Sequence, residues 1–248
     1  MSSIPKTIML SLKDPYLKEF QASVLAKPAT PDGDAIILDK TAFHPKGGGQ
    51  DSDIGLITGP KGSVEIISVK ESDGVVHHII GSLNGRVEAG DSVKGEIDWV
   101  RRYGLMKNHT AQHILWATLE KILSGVKIIG SAVMADKGRF DVQADRETLI
   151  QKLGAIESTA NKIVKENRPV KIEMLDREDA IRAVTKYGES QSILPEGVDK
   201  IRIVEIEGWD IAACKGLHVK TTGEVGSIKI LGRTSKGKNI DRLEFSAT

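Results

Sequence analysis

Two short motifs hold the residues best suited to chemistry. In HTAQH, His109 and His113 are four apart, a spacing that on a helix stacks two imidazole rings on one face, within reach of one metal ion. Far along the chain, CKGLH gives Cys214 and His218 the same spacing in a glycine-containing turn. Together they form a tetrahedral zinc set, because zinc favours thiolate sulfur mixed with imidazole nitrogen. Cys214 is the only cysteine in the chain, so an internal disulfide is excluded. His77 and His78 are neighbours on a predicted strand and point to opposite faces, which disqualifies them as a pair of ligands and leaves them ordinary strand residues.

Four protein ligands close the zinc shell, as structural sites do, whereas a catalytic zinc keeps one position open. A domain with two long helices and a sheet does not need a metal staple, however. His218, last in its turn, is the ligand best able to bind weakly or through a water, so both readings stay open. Zinc peptidases need a glutamate after the first histidine as general base. Thr110 occupies that position, which turns the reading away from amide hydrolysis. No residue is assigned as general base.

The elements that must position these residues fall into two groups. Short β-branched runs at Gln21–Ala26, Ala35–Leu38, Gly55–Thr58, Val64–Lys70, Val75–Ile80 and Ser92–Asp98, separated by glycine turns, predict a small β-barrel over residues 1–98. From 99 to 248 the texture changes. Leu105, His109, His113 and Trp116 recur at helical spacing up to Leu123, a hairpin is predicted from Ser131–Met134 and Arg139–Val142, and a second helix covers Arg146–Asn167. A strand at Val170–Leu175, a short helix at Arg177–Val184, a strand at Ile201–Glu207 and terminal strands from Gly223 to Phe245 complete the pattern. The fold class expected is α+β, with helices on a largely antiparallel sheet in the second domain.

Lys and Arg number 35 against 34 Asp and Glu, a net charge of +1, so any polyanion site must be local. A 40% hydrophobic content excludes disorder as the main state. No run approaches the roughly 20 apolar residues that cross a bilayer, and the start lacks a signal-peptide pattern, so a cytoplasmic protein without a membrane partner is expected.

Read in order, KNHTAQHIL, GSAVMADKGRFDV, ANKIVKENRPV and CKGLHVKTTGEVG resemble the editing domain of alanyl-tRNA synthetase and its free-standing relatives, the AlaX proteins. AFHPKGGGQDSDIG and GEIDWVRRYGLMKNHT extend the likeness into the β domain, and the medium-length AlaX type matches best. This resemblance implies hydrolysis of tRNA(Ala) mischarged with serine, with glycine as a second substrate, and a zinc site at His109, His113, Cys214 and His218. It also implies that the β domain, through Gly47, Gly48, Gly49 and Gln50, helps hold the tRNA. Lys215 and Leu217 stand where the synthetase branch often has glycine and threonine, and Ile128 where it often has glutamine.

An aminoacyl ester is activated, so modest machinery suffices to hydrolyse it. A pocket that hydrogen-bonds the serine hydroxyl rejects alanine, which would leave its polar groups unpaired. Thr110, Ser131 and Thr222 are candidate readers by their nearness to the motifs. Lys46, Arg101, Arg102 and Lys107, with Lys229, Arg233, Lys236, Lys238 and Arg242, are candidate RNA-backbone contacts. The alternative reading is a non-catalytic tRNA-binding module with structural zinc.

Overall fold

The computed structural model describes residues 4–187, 194–237 and 239–248. Period-two burial governs the first of two compact units, Met1–Tyr103. In β1 (Glu19–Ala26), Phe20, Ala22 and Val24 are buried while Glu19, Gln21 and Ser23 face outward. The remaining barrel strands are β2 (Gly33–Leu38), β3 (Gly55–Gly59), β4 (Lys61–Ser72), β5 (Val75–Arg86) and β6 (Ser92–Ile97). They pair in the order β1, β6, β3, β4, β5, β2, and β2 closes back on β1 through Val24 opposite Leu38. This closed barrel is the one expected from the strand spacing, and closure leaves no edge along the ring. Phe20, Ile36, Leu38, Phe43, Ile57, Val64, Ile66 and Val93 fill it. His78 is wholly buried and its neighbour His77 is half-buried.

Helix α1 (Trp99–Ile122) starts where Asp98 Oδ1 accepts the Arg101 amide at 2.9 Å. It stops at Ser124-Gly125, where Gly125 takes a φ of +69°. The unit boundary falls within this helix, the second unit being Gly104–Thr248. Every residue from Asn108 to Leu115 is buried, so polar side chains on this stretch need partners inside the protein.

Beyond α1 come β7 (Lys127–Val133), β8 (Gly138–Gln143), α2 (Arg146–Lys165), β9 (Val170–Asp176), α3 (Arg177–Lys186), β10 (Lys200–Ile206), β11 (Asp210–Ala213), β12 (Ile228–Gly237) and β13 (Ile240–Ala247). Two antiparallel sheets result, ordered β7, β8, β13, β12 and β9, β10, β11. Asp145 caps α2 by accepting the Thr148 amide at 2.9 Å. That helix docks on β12 through Asn161, whose Nδ2 donates to Ile228 O at 2.7 Å and whose Oδ1 accepts the Ile228 amide at 2.9 Å. Asn108 ties α1 into the first sheet by donating to Ala135 O at 2.9 Å and accepting the Ala247 amide at 2.9 Å.

Candidate metal centre

Alternation along β11 positions one half of the centre. Ile211 and Ala213 pack with α3 on one face of the sheet, which turns Asp210, Ala212 and Cys214 to the other. The Cys214 amide donates to Arg202 O at 3.1 Å, so the ladder holds one residue past the strand. The next residues curl back, and the Gly216 amide points at Cys214 Sγ from 3.4 Å. The other half comes from consecutive turns of α1, where His109 and His113 have ring centroids 5.5 Å apart.

These pieces converge. The ligand atoms of His109, His113, Cys214 and His218 all lie within 4.8 Å of one another. Cys214 Sγ is 3.4 Å from Nε2 of His109 and from Nε2 of His218. A tetrahedral zinc with bonds of roughly 2.0 Å to nitrogen and 2.3 Å to sulfur sets such atoms about 3.5 Å apart, so the donor set fits the ion in chemistry and in span.

The residues behind the ligands fix their orientation. His113 Nδ1 lies 2.7 Å from Asp210 Oδ2, which leaves Nε2 facing the cluster. His218 Nδ1 lies 3.1 Å from Thr110 Oγ1, and that oxygen also accepts the Val219 amide at 3.3 Å. With Nε2 given to a metal, Nδ1–H donates to Thr110. Burial opposes charge on His113, but Asp210 and the Cys214 sulfur outweigh it and raise its pKa from 6.5 to about 10. Burial and then His109 lower that of His218 to about 3. Burial alone would raise the Cys214 thiol; His109, His113 and His218 instead bring it well below its ordinary range. These directions favour negative charge on the Cys214 sulfur beside positive charge on His113.

Several other sequence-derived candidates have different surroundings. Thr110 is fully buried, with its hydroxyl 3.1 Å from His218 Nδ1 and accepting the Val219 amide at 3.3 Å. Thr222 is also fully buried: it donates to Ile163 O at 2.8 Å and accepts the Arg168 amide at 2.8 Å, closing the end of α2. Ser131 accepts from Gln112 Nε2 at 3.2 Å, on the residue preceding His113. Gly47, Gly48 and Gly49 are exposed, with φ of +58° and +83° at the last two and reciprocal Gly47–Gln50 backbone bonds of 3.0 and 3.1 Å, a tight hairpin turn. Gln50 beneath it is fully buried.

Among the basic candidates, Arg102 is corrected to a core residue. It is fully buried, its Nε donates to Asp53 Oδ1 at 2.9 Å, and its other nitrogens bond Pro15 O and Ala42 O, so nothing is left for a phosphate. Lys46 pairs with Asp51 at 3.0 Å, and Arg101 Nε donates to Ser52 O at 2.9 Å. Arg242 grips Asp141 at 2.7 and 2.8 Å, and Arg233 pairs with the buried Asp241. Lys107 is half-buried, Lys229 and Lys236 are exposed, and Lys238 lies outside the described residues. Sequence reading missed Asp210, Arg202 and Gln112. Asp210 had a signal, since in DIAAC it stands four before Cys214 and therefore on the same strand face.

Residues 14–101 match the family model for tRNA synthetases class II (A), and residues 201–244 that for the Threonyl and Alanyl tRNA synthetase second additional domain. The chain is 38% identical over 244 residues to the alanine–tRNA ligase of Ignicoccus hospitalis, covering 98% of this chain and 26% of that protein. It is 38% identical over 246 residues to that of Archaeoglobus fulgidus (98% and 26%) and 36% identical over 253 residues to that of Saccharolobus islandicus (100% and 27%). The chain thus spans about a quarter of the length of the curated relatives it matches. Barrel, α+β unit and a three-histidine, one-cysteine cluster able to hold a metal ion place the chain among domains akin to parts of aminoacyl-tRNA synthetases. Within that class, the chain is similar throughout its length to about a quarter of the length of alanyl-tRNA synthetases, consistent with their editing domains and the AlaX proteins.

Proposed function

We propose that this protein is a zinc-dependent aminoacyl-tRNA deacylase, a carboxylic ester hydrolase that removes serine, and also glycine, from mischarged tRNA(Ala). The observation that carries the reading is the convergence of His109, His113, Cys214 and His218, backed by Asp210 and Thr110, in a chain related throughout its length to alanyl-tRNA synthetases. Bound zinc supplies Lewis-acid polarisation at the ester. The four ligands hold it, Asp210 fixes His113, and Thr110 fixes His218. Selectivity falls to the Gln112–Ser131 pair. Gln112 Oε1 is buried without a hydrogen-bond partner among the described residues, and a seryl hydroxyl donating to it would satisfy an acceptor that alanine leaves empty. In the barrel unit, the exposed Gly47–Gly49 turn offers backbone amides to a ribose-phosphate end, with Lys46 beside it.

The test is deacylation of serine-, glycine- and alanine-charged tRNA(Ala), with metal content measured on the same sample. Release of serine with alanine spared is expected; binding without ester loss overturns the reading. A complete set of four protein ligands favours the second reading, a tRNA-binding module with structural zinc. Cys214→Ala separates the two. As a deacylase the variant loses hydrolysis while its helical content holds; as a structural module it loses the fold of the second unit.

A further inference from the structure

Two arginines of this protein, one buried and one part-buried, show how a guanidinium is satisfied in such surroundings. Arg102 turns its Nε and Nη2 side onto Asp53, and Arg242 turns the same side onto Asp141 at 2.7 and 2.8 Å. Arg202 differs. It is only 8% exposed and its Nη1 donates to Cys214 O at 2.6 Å, yet its buried Nε and Nη2 have no hydrogen-bond partner among the described residues. Leaving charged donors unsatisfied in a protein interior is costly, so a partner beyond the described residues is implied.

The position of this empty fork follows from strand geometry. Ile201 and Ile203 enter the α3 core, which sends Arg202 to the opposite face of β10. Cys214 is its neighbour across the ladder and shares that face, so Arg202 stands on the side of the sheet that carries the metal ligands. On its other flank the paired residue is Met174, 57% exposed, so this end of the face is open to solvent.

We propose that the Nε/Nη2 fork of Arg202 receives a two-oxygen anion belonging to the ligand of the metal centre. A guanidinium edge with two parallel N–H groups matches a phosphate or a carboxylate bidentately. The inference rests on the deacylase reading for the identity of that ligand. In an aminoacyl-RNA terminus the amino acid's carboxyl is esterified, which leaves the phosphodiester of the last nucleotide as the matching group. After hydrolysis the carboxylate of the released amino acid offers the same chemistry.

Equilibrium titration of the zinc-loaded protein separates these sources. The probes are adenosine 5′-monophosphate against adenosine, and serine against serinol, which lacks the carboxylate. If the fork takes the phosphodiester, Arg202→Gln weakens adenosine 5′-monophosphate by about 10- to 100-fold and leaves adenosine unchanged. If it takes the product, serine weakens by that factor and serinol does not. Arg202→Lys, which keeps the charge without the fork, recovers part of the loss and stands in for the glutamine variant should that one fail to fold or to hold zinc. Affinities unchanged in both variants, equal losses for each probe and its uncharged counterpart, or no anion binding by the wild type overturn the proposal. Since no ester is cleaved in these titrations, a wild type that binds the anion through Arg202 but leaves seryl-tRNA intact overturns the deacylase reading alone.

Discussion

Asp210 is the side chain on which a conservative change tests the centre most directly, because it touches no metal and acts only through His113. Its carboxylate, 2.7 Å from Nδ1, fixes the ring's orientation and makes Nε2 a more basic donor. Asp210→Asn keeps the volume and an oxygen but removes the charge, and is expected to weaken zinc by about 10- to 100-fold in a chelator competition. An affinity within roughly a factor of two of wild type would show that Asp210 is a bystander. Gln112 tests selectivity in place of affinity. Gln112→Leu removes the unpartnered Oε1 and should lower the preference for seryl over alanyl tRNA(Ala), read as the ratio of kcat/KM values, while metal content is unchanged. A preserved ratio would assign the discrimination elsewhere.

One glycine in α1 and one in α2 set helix propensity against packing, with opposite outcomes. In a helix interior, glycine is worth about 1 kcal/mol less than alanine. A Cβ on Gly104 would, however, lie 2.4 Å from Ala135 O, in the hairpin that Asn108 also grips. Gly154 in α2 meets nothing within 4 Å. Gly154→Ala should therefore stabilise by up to about 1 kcal/mol, and Gly104→Ala should destabilise by about 1–3 kcal/mol, in urea unfolding. Stabilisation by both would mean that the hairpin yields to the helix. Elements of this kind were legible in the sequence: the spacing of His109, His113 and Trp116 gives α1, and the run Gln21–Ala26 gives a barrel strand, which starts two residues earlier at Glu19. Strand β11 was not, because DIAA is four residues long and has no turn signal before Cys214. Nor does a single sequence tell a surface arginine from a buried one. Arg102 owes its burial to Asp53, 49 positions away, and in the basic run near the end Arg242 and Arg233 pair with Asp141 and Asp241 across the sheet.

At the scale of the whole molecule, the pH dependence of stability is set by groups whose pKa differs between the folded and the unfolded chain. His78 is one of them, and its tautomer follows from its partners. Ile36 O can only accept, so Nδ1, 2.9 Å away, carries the proton, and Nε2 accepts the Thr41 hydroxyl at 2.8 Å. A protonated ring would offer a second donor where one is already pointing in. Burial outweighs the favourable Ile36 contact and lowers the pKa from 6.5 to about 4. Between those values the unfolded chain binds a proton that the folded chain refuses, so stability is full above pH 6.5 and declines as pH falls toward 4. The contribution is on the order of 3 kcal/mol at full development. Urea unfolding of the zinc-loaded protein across this range should show the decline, and His78→Gln, which keeps a donor and an acceptor but does not titrate, should flatten it while lowering stability at pH 7. A variant whose acid limb coincides with that of the wild type would place the proton-linked step outside the barrel core.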